Sequence, residues 1–273
     1  MKVTANGIDI HYTIEGEGQV VTMSHALGCN LSMWEEQAHA LRGRYRVLRY
    51  DTRGHGQTSA SPGPYSLEQM ADDVHGLLNV LGVTQTHFVG ISMGGMIGQL
   101  FALKYPNMLL SLTLCSTTSH YPATIRTAWE DRIRTVDAKG IEPMVEPAIQ
   151  RWFTPAFRER RSDIMERVRT MLRSTPPQGY IGCCHAIPAI DVTDRLGEVR
   201  CQALVVAGED DPGTPIAMAQ EIHAALPSSE LAVLRPASHL CNLEQREAFN
   251  QTLLSFLDKV TEKRDPNEPC GSD

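Results

Sequence analysis

Hydrophobic residues follow two patterns that take turns along the chain. Short apolar runs indicate buried strands, and longer segments with apolar residues every three or four positions indicate helices with one buried face. Strands are predicted over residues 2–5, 8–14, 19–24, 45–50, 86–90, 109–115, 203–208 and 230–234. Helices are predicted over residues 32–41, 66–81, 93–105, 215–226 and 242–260. This alternation predicts an α/β fold with a mostly parallel sheet that helices cover on both faces.

The pattern changes between about residues 119 and 195. Arg, Glu, Met and Trp recur there at helical spacing, no strand pattern is present, and prolines divide the segment into short pieces. We therefore predict a helical lid, residues 119–195, inserted into a core made of residues 1–118 and 196–262. Residues 263–273 are polar, and we predict that they form a flexible tail.

Composition narrows the function classes without pointing to one reaction. The 273 residues include 25 Lys and Arg against 32 Asp and Glu, a net charge of −7, which disfavours a nucleic-acid partner. No apolar run reaches the length of a membrane span, and residues 1–7 show no secretory signal. We expect a cytoplasmic protein that acts on a small molecule, without a membrane or nucleic-acid partner. Its oligomeric state stays open.

The seven cysteines are consistent with a reducing compartment. They form an odd set without C-x-x-C pairs, which favours free thiols over a disulfide framework. Cys183, Cys184 and His185 are consecutive, but consecutive side chains point in different directions on a helix or a strand and cannot easily meet at one ion. We predict neither a metal site nor a cofactor.

The segment Gly90-Ile91-Ser92-Met93-Gly94 connects a predicted strand to a predicted helix. A serine at this place between two glycines matches the G-x-S-x-G nucleophile elbow, in which a tight turn lifts the hydroxyl out of the sheet. Glycines are needed because a side chain beside the serine would collide with the neighbouring element. We predict that Ser92 is a nucleophile.

A serine hydroxyl needs a base to remove its proton and a carboxylate to orient that base. Both partners are expected in loops that follow later strands. His239 lies in such a loop directly before the last predicted helix, and we predict it as the base. Three adjacent carboxylates follow the preceding strand, Glu209, Asp210 and Asp211. Asp211 is favoured because the turn needs one or two residues before a side chain can reach back to the histidine; Asp210 and Glu209 are the alternatives.

Acyl transfer also needs donors for the negatively charged oxygen of the tetrahedral intermediate. We predict two backbone N–H groups in this role: that of Met93, directly after the serine, and that of Leu27, in the loop after the third strand. His25 lies in the same loop, and we predict that it braces the loop.

The stretch from Asp51 to Gly56 contains acidic, basic and imidazole groups. It follows an early strand, which favours a structural turn over a catalytic site. We predict that an ion pair between Asp51 and Arg53 closes this turn.

With Ser92, Asp211 and His239 in this chain order, the chain resembles the α/β-hydrolase superfamily over nearly its whole length. Several stretches resemble the 3-oxoadipate enol-lactonases of the β-ketoadipate pathway of aromatic catabolism. These stretches are residues 48–56, 62–65, 90–96, 151–155, 179–184 and 239–244. The two lid stretches among them are the more specific, because lids determine substrate choice in this fold. One pair differs, since His25-Ala26 stands where such lactonases often have Asn-Ser.

The resemblance implies a serine hydrolase that opens 3-oxoadipate enol-lactone to 3-oxoadipate through an acyl-enzyme, without cofactor or metal. Because this substrate has a carboxylate and the protein is net negative, we expect a cationic lid residue near the pocket, with Arg132 as the first candidate. Trp129 and Trp152 are the other candidate substrate-binding residues of the lid.

Other functions fit the same residues. Another carboxylesterase or lactonase, or a carbon–carbon bond hydrolase, would share the fold and the triad. A cofactor-free dioxygenase would use only the His/Asp pair, and a ligand receptor would turn nothing over. Haloalkane dehalogenase and epoxide hydrolase chemistry is excluded, because it needs a carboxylate at the position of Ser92.

Overall fold

The sheet has eight strands in the computed structural model of the protein, which describes residues 1–262. The strands are β1 (Lys2–Ala5), β2 (Ile8–Glu15), β3 (Val20–Ser24), β4 (Arg46–Tyr50), β5 (Thr86–Ile91), β6 (Leu109–Cys115), β7 (Gln202–Gly208) and β8 (Ser229–Leu234). Their spatial order is β1-β2-β4-β3-β5-β6-β7-β8. The pairs β1–β2 and β2–β4 are antiparallel, whereas every other pair is parallel. The predicted α/β class with a mostly parallel sheet is confirmed.

Eleven α-helices occur within the described residues. They are α1 (Glu35–Leu41), α2 (Leu67–Val80), α3 (Met93–Lys104), α4 (Arg126–Lys139), α5 (Glu142–Trp152), α6 (Pro155–Arg160), α7 (Ser162–Arg173), α8 (Pro177–Ala186), α9 (Ile216–Ala225), α10 (Cys241–Glu244) and α11 (Arg246–Glu262). Short 3₁₀ turns are present at Leu31–Trp34, Pro106–Met108, Ala123–Ile125, Ile187–Ala189 and Thr193–Glu198. None of these helices is long and apolar enough to cross a membrane. The predicted tail, residues 263–273, lies outside the described residues.

Helices cover both faces of the sheet. One apolar cluster contains residues of α2, α3 and α9, and a second contains residues of α1 and α11. Strand β5 contributes Phe88 to the first cluster and Val89 and Ile91 to the second, because successive strand side chains point to opposite faces. With both faces covered, β5 is buried along its whole length, and this explains why its sequence shows an apolar run without polar alternation.

Helices α4 to α8 occupy the sequence between β6 and β7, where the lid is predicted. Helix α7 shows how such a helix packs, since it buries side chains on one face: Ile164, Met165, Val168, Met171 and Leu172. These residues join the apolar cluster that also contains α1 and α11. The proposed division into a lid, residues 119–195, and a core, residues 1–118 and 196–262, stays a prediction.

The last predicted helix, residues 242–260, is two helices in the structure. Helices α10 and α11 are separated by Gln245, whose backbone has φ −116° and ψ 53°. The side-chain amide of Gln245 donates to the Pro236 carbonyl at 2.6 Å. The break therefore lies against the loop between β8 and α10, a contact that helical periodicity alone does not reveal.

Candidate active site

Ser92 lies at the turn between β5 and α3, where the G-x-S-x-G pattern predicts it. Its backbone has φ 56° and ψ −118°, a conformation that a residue with a side chain adopts only under constraint. The Ser92 N–H donates to the Cys115 carbonyl at 2.8 Å, and the Thr117 hydroxyl donates to the Ser92 carbonyl at 2.8 Å. Hydrogen bonds to Cys115, the last residue of β6, and to Thr117 thus hold the serine in this conformation.

Close backbone contacts require the two glycines beside Ser92. A Cβ at Gly90 would lie 2.2 Å from the Gly94 carbonyl oxygen. A Cβ at Gly94 would lie 2.2 Å from the Ser24 carbonyl oxygen, at the end of β3. Because the obstructing atoms belong to the backbone, any larger residue would force β3, β5 and α3 apart.

His239 and Asp211 form a buried hydrogen-bonded pair. His239 Nδ1 lies 2.7 Å from Asp211 Oδ2. The Asp211 carboxylate also accepts from the Gly213 N–H at 2.8 Å, from the Thr214 N–H at 3.1 Å and from the Thr214 hydroxyl at 2.6 Å. Burial acts to raise the pKa of Asp211, but the His239 ring and the Thr214 donors outweigh it and hold this pKa below its usual value. The ionised carboxylate accepts the Nδ1 proton, which leaves His239 Nε2 as an acceptor.

The two alternative carboxylates of the same loop point elsewhere. Glu209 is exposed and pairs with Arg235 at 2.9 Å. Asp210 is exposed, and its backbone N–H donates to the Ala237 carbonyl at 2.8 Å. Of the three adjacent acids, the structure brings Asp211 to the histidine.

Ser92 and His239 line one cavity of about 230 Å³, whose other wall belongs to the lid helices α4 and α5. Within residues 1–262, no hydrogen bond joins the Ser92 hydroxyl to the His239 ring. Bonds of this kind often shorten only when a substrate binds. The two side chains therefore share a cavity, and their direct contact stays a prediction.

The two predicted oxyanion donors belong to different elements. Leu27 lines the cavity, and Met93 is the first residue of α3. In the described part of the chain, neither backbone N–H has a protein acceptor. The N–H groups of a first helical turn lack an intrahelical partner and lie at the positive end of the helix dipole. Both amides are thus able to donate to an oxygen of a ligand.

Two buried histidines hold the loop that contains Leu27. His25 Nε2 accepts from the Thr52 N–H, and His55 Nε2 accepts from the Gly28 N–H, both at 2.9 Å. Their Nδ1 atoms lie 2.8 and 3.2 Å from backbone carbonyls, so Nδ1 donates and both rings are neutral. Burial lowers the pKa of His25, and burial together with the neighbouring His25 lowers the pKa of His55 to about 3. This geometry agrees with a bracing role for His25.

All three candidate lid residues line the cavity. Trp152 stacks on His239 with ring centroids 6.3 Å apart, and the Arg132 guanidinium lies 4.5 Å from the centre of the Trp129 ring. Arg151 and Tyr121 line the same cavity, and the sequence interpretation missed both. For Arg151 one signal was available, because it begins a lid stretch that resembles enol-lactonases. The stretch does not reveal which of its side chains face the cavity.

The predicted ion pair between Asp51 and Arg53 is wrong. Arg53 instead binds Asp73 of α2 through two contacts of 2.8 and 2.6 Å, and both side chains are buried. Asp51 accepts from His11 Nδ1 at 2.8 Å and from the Leu31 N–H at 2.7 Å. Each charge finds a partner on a packed neighbouring element, which proximity along the chain does not reveal.

Five of the described cysteines are buried free thiols: Cys29, Cys115, Cys183, Cys184 and Cys241. Burial raises the pKa of Cys184 to about 12. Within residues 1–262, no group of three or more His, Cys, Asp or Glu side chains is placed to hold a metal ion.

The sheet order, the serine at a strand-to-helix turn and the later Asp–His pair are those of the α/β-hydrolase class. A family model described as the alpha/beta hydrolase fold matches residues 19–245, and the chain belongs to this family. The chain is 36% identical over 257 residues to 3-oxoadipate enol-lactonase 2 of Acinetobacter baylyi, covering 93% of this chain and 95% of that protein. The predicted resemblance to enol-lactonases is thereby confirmed.

Two further relatives also match this chain over nearly its whole length, but their names give different activities. The crystal structure of the enol-lactonase from Burkholderia xenovorans LB400 matches with a TM-score of 0.91 at 33% identity, covering 94% of this chain and 100% of that chain. A putative carbamate hydrolase RutD of Caulobacter segnis is 30% identical, over 93% of this chain and 98% of that protein. These relatives support a hydrolase acting on a small molecule.

Proposed function

We propose that the protein is a serine hydrolase that opens 3-oxoadipate enol-lactone to 3-oxoadipate. The observation that carries the proposal is a single cavity lined by Ser92 and by the Asp211-bound His239, beside two backbone N–H groups without a protein acceptor. The similarity to 3-oxoadipate enol-lactonase 2 supports this lactone as the substrate. We propose the β-ketoadipate pathway as its context and the cytoplasm as its location, which the free thiols support.

In this mechanism, Ser92 Oγ attacks the lactone carbonyl carbon while His239 Nε2 takes the hydroxyl proton. The carbonyl oxygen becomes negative and accepts from the N–H groups of Leu27 and Met93. Collapse of the intermediate breaks the ring C–O bond, and the enol oxygen leaves with the proton from His239 and rearranges to a ketone. Water, deprotonated by His239, then attacks the acyl-enzyme and releases 3-oxoadipate and free Ser92. Asp211 keeps the His239 ring oriented and stabilises its charged form.

The lid side of the cavity supplies the contacts to the substrate in this proposal. Arg132 is the partner of the substrate carboxylate, because it lines the cavity and contacts no carboxylate of the described residues. The Arg132 guanidinium lies over the Trp129 ring, and this cation–π contact helps to hold it in place. Trp152, stacked on His239, provides an apolar surface beside the reacting atoms.

A second candidate is hydrolysis of a different ester, lactone or carbamate with the same serine, histidine and aspartate. The 30% identity to a putative carbamate hydrolase over nearly the whole chain favours it. The first steps of such a reaction would be the same, because an acyl carbon is attacked in each case. The difference lies in the leaving group and in the part of the substrate that contacts the lid.

The test follows the ultraviolet absorbance of the enol-lactone with purified wild type and with Ser92→Ala. We expect the wild type to consume the lactone and the variant to be slower by about 10⁴-fold or more. Ser162→Ala, which alters an exposed serine at the start of α7, is the matched control and should be unchanged. Full activity of Ser92→Ala would exclude the serine mechanism. Turnover of simple esters or carbamates without turnover of the lactone would favour the second candidate.

A further inference from the structure

Two arginines in the cavity lack the partners that the other arginines have. In the described chain, every other arginine is ion-paired with a carboxylate, bound to backbone carbonyls or exposed. Arg132 and Arg151 are half-buried instead, and no carboxylate of the described residues lies within ion-pair distance of either. A half-buried cation without a counter-charge is costly, so an arrangement of this kind indicates a site for an anion.

The two arginines reach the cavity from different lid helices. Arg132 belongs to α4 and lies over the Trp129 ring, and Arg151 belongs to the last turn of α5. Both line the cavity together with Ser92 and His239. A ligand bound to both guanidinium groups would therefore also reach the nucleophile.

Arg151 packs beside the loop that holds the aspartate. Its Cδ atom would lie 3.9 Å from a Cβ placed on Gly213, the residue whose N–H binds Asp211. The Asp211 carboxylate is nevertheless occupied by His239, Gly213 and Thr214. Arg151 thus lies next to the catalytic pair without neutralising it, and its guanidinium is available to a ligand.

Electrostatics within the cavity agree with an anion site. Burial, and then the charge of Arg132, lowers the pKa of Arg151, although the Asp211 carboxylate acts in the opposite direction. Two guanidinium groups that line one cavity repel each other. An anion between them would relieve this repulsion. Tyr121 also lines the cavity, and burial raises its pKa to about 12, so that its hydroxyl is a neutral donor.

We propose that Arg132 and Arg151, with the Tyr121 hydroxyl, form one carboxylate-binding subsite for esters or lactones that have a free carboxylate. Arg151 is a specificity-determining residue of this subsite. The inference rests on the proposed function only in taking Ser92 as the nucleophile. It does not depend on which carboxylated ester or lactone is the natural substrate.

The test uses two aryl esters that differ in one terminal group. Mono-4-nitrophenyl glutarate ends in a carboxylate, and 4-nitrophenyl valerate ends in a methyl group on a chain of the same length. Release of 4-nitrophenol gives kcat/KM for both esters with the wild type, Arg151→Gln, Arg132→Gln and the double variant. Arg151→Lys keeps the charge but loses the planar fork that binds a carboxylate at two points.

We expect the wild type to prefer the carboxylated ester. Each single Gln variant should lower that preference about tenfold, mainly through KM, as expected for the loss of one charge-assisted hydrogen bond. The double variant should show no preference, and Arg151→Lys should restore part of it. Turnover of the valerate ester should stay within about twofold of wild type, which also verifies that each variant is folded.

Arg126→Gln is the matched control, because it removes an exposed positive charge from the same helix as Arg132. If it lowers the preference as much as Arg151→Gln, the effect is general attraction by the lid, and the subsite is rejected. The subsite is also rejected if the wild type does not prefer the carboxylated ester, or if Arg151→Gln affects both esters equally or neither.

The outcome is separable from that of the proposed function. Suppose that the wild type does not hydrolyse the enol-lactone but prefers the glutarate ester, and that Arg151→Gln lowers this preference. The subsite would then be retained and the lactone assignment overturned. If the wild type and Arg151→Gln hydrolyse the lactone equally well, the lactone assignment is retained and the role of Arg151 is overturned.

Discussion

The two walls of the cavity are built in different ways. On the core wall, backbone hydrogen bonds and close glycine contacts hold Ser92, and a buried network of donors holds the Asp211–His239 pair. On the lid wall, the Trp129 and Arg132 side chains line the cavity, and in the described chain Arg132 is not paired with a carboxylate. Catalysis requires reacting groups placed within a fraction of an ångström. We therefore expect the core wall to determine the reaction and the lid wall to determine the substrate.

The lid wall is itself joined to the core at one end. The Leu240 N–H donates to the Trp152 carbonyl at 3.1 Å. The buried Glu244 carboxylate accepts from the Ser238 N–H at 2.9 Å and from the Thr154 N–H at 3.1 Å. Helix α4, in contrast, packs mainly on the lid helices α5 and α8. The end of α5 is therefore bonded directly to the loop that contains His239.

The strongest test of the core wall replaces the acid of the proposed triad. Asp211→Asn should lower kcat by about 10³- to 10⁴-fold, because an amide in this place favours the wrong tautomer of His239. The exposed neighbour gives a matched control, and Asp210→Asn should stay within about twofold of wild type. Steady-state kinetics on the lactone measure both. An equal loss in the two variants would mean that the loop, and not the carboxylate, is responsible.

The corresponding test of the lid wall is Arg132→Ala. Removal of a charged partner of the substrate should raise KM for the carboxylated lactone about tenfold and spare a neutral ester. Initial rates over a range of both substrates give the two KM values. An equal effect on lactone and neutral ester would reject the role of Arg132 as the carboxylate partner.

A smaller loss of activity is expected when a core residue that binds the backbone of Ser92 is changed. Thr117 donates to the Ser92 carbonyl, so Thr117→Val removes one hydrogen bond with little change in shape. We expect kcat to fall about three- to tenfold with KM unchanged, as for the loss of one hydrogen bond. Thr117→Ser keeps the hydroxyl and should retain most of the activity. A rise in KM alone would contradict this role.

The smallest effect concerns the pH dependence of stability. His55 stays neutral in the folded protein because its pKa is lowered from 6.5 to about 3, whereas in the unfolded chain it binds a proton below pH 6.5. Its contribution to stability is therefore complete above pH 6.5 and is lost progressively as the pH falls towards 3. Between pH 7.5 and 5.5, His55 should account for a loss of about 1.4 kcal/mol in the free energy of unfolding.

His55→Gln should remove this part of the pH dependence. Glutamine keeps an acceptor for the Gly28 N–H but does not titrate. Chemical denaturation of both proteins at pH 7.5 and 5.5 measures the change in the free energy of unfolding. The same decrease in both proteins would show that the proton uptake occurs at other groups.

Much of the fold and of the core wall could be predicted from short segments. The elbow is recognisable because its two glycines, its serine and its flanking strand and helix are neighbours along the chain. The choice of Asp211 also followed from local turn length, and the structure brings this residue to His239 at 2.7 Å. In the lid, in contrast, Arg132 was a candidate by charge alone, and Arg151 was missed although it directly precedes Trp152.

Local patterns were thus sufficient for the strand order, for most helices outside residues 119–195, for the strained turn at Ser92 and for the sequence positions of the Asp–His pair, because backbone geometry depends on adjacent residues. The partners of side chains were decided by packing between distant elements. Arg53 binds Asp73 instead of Asp51, and Arg151 enters the cavity, because the rotation and approach of whole helices determine which charges meet. That rotation depends on contacts along the full length of each helix, which no short segment contains.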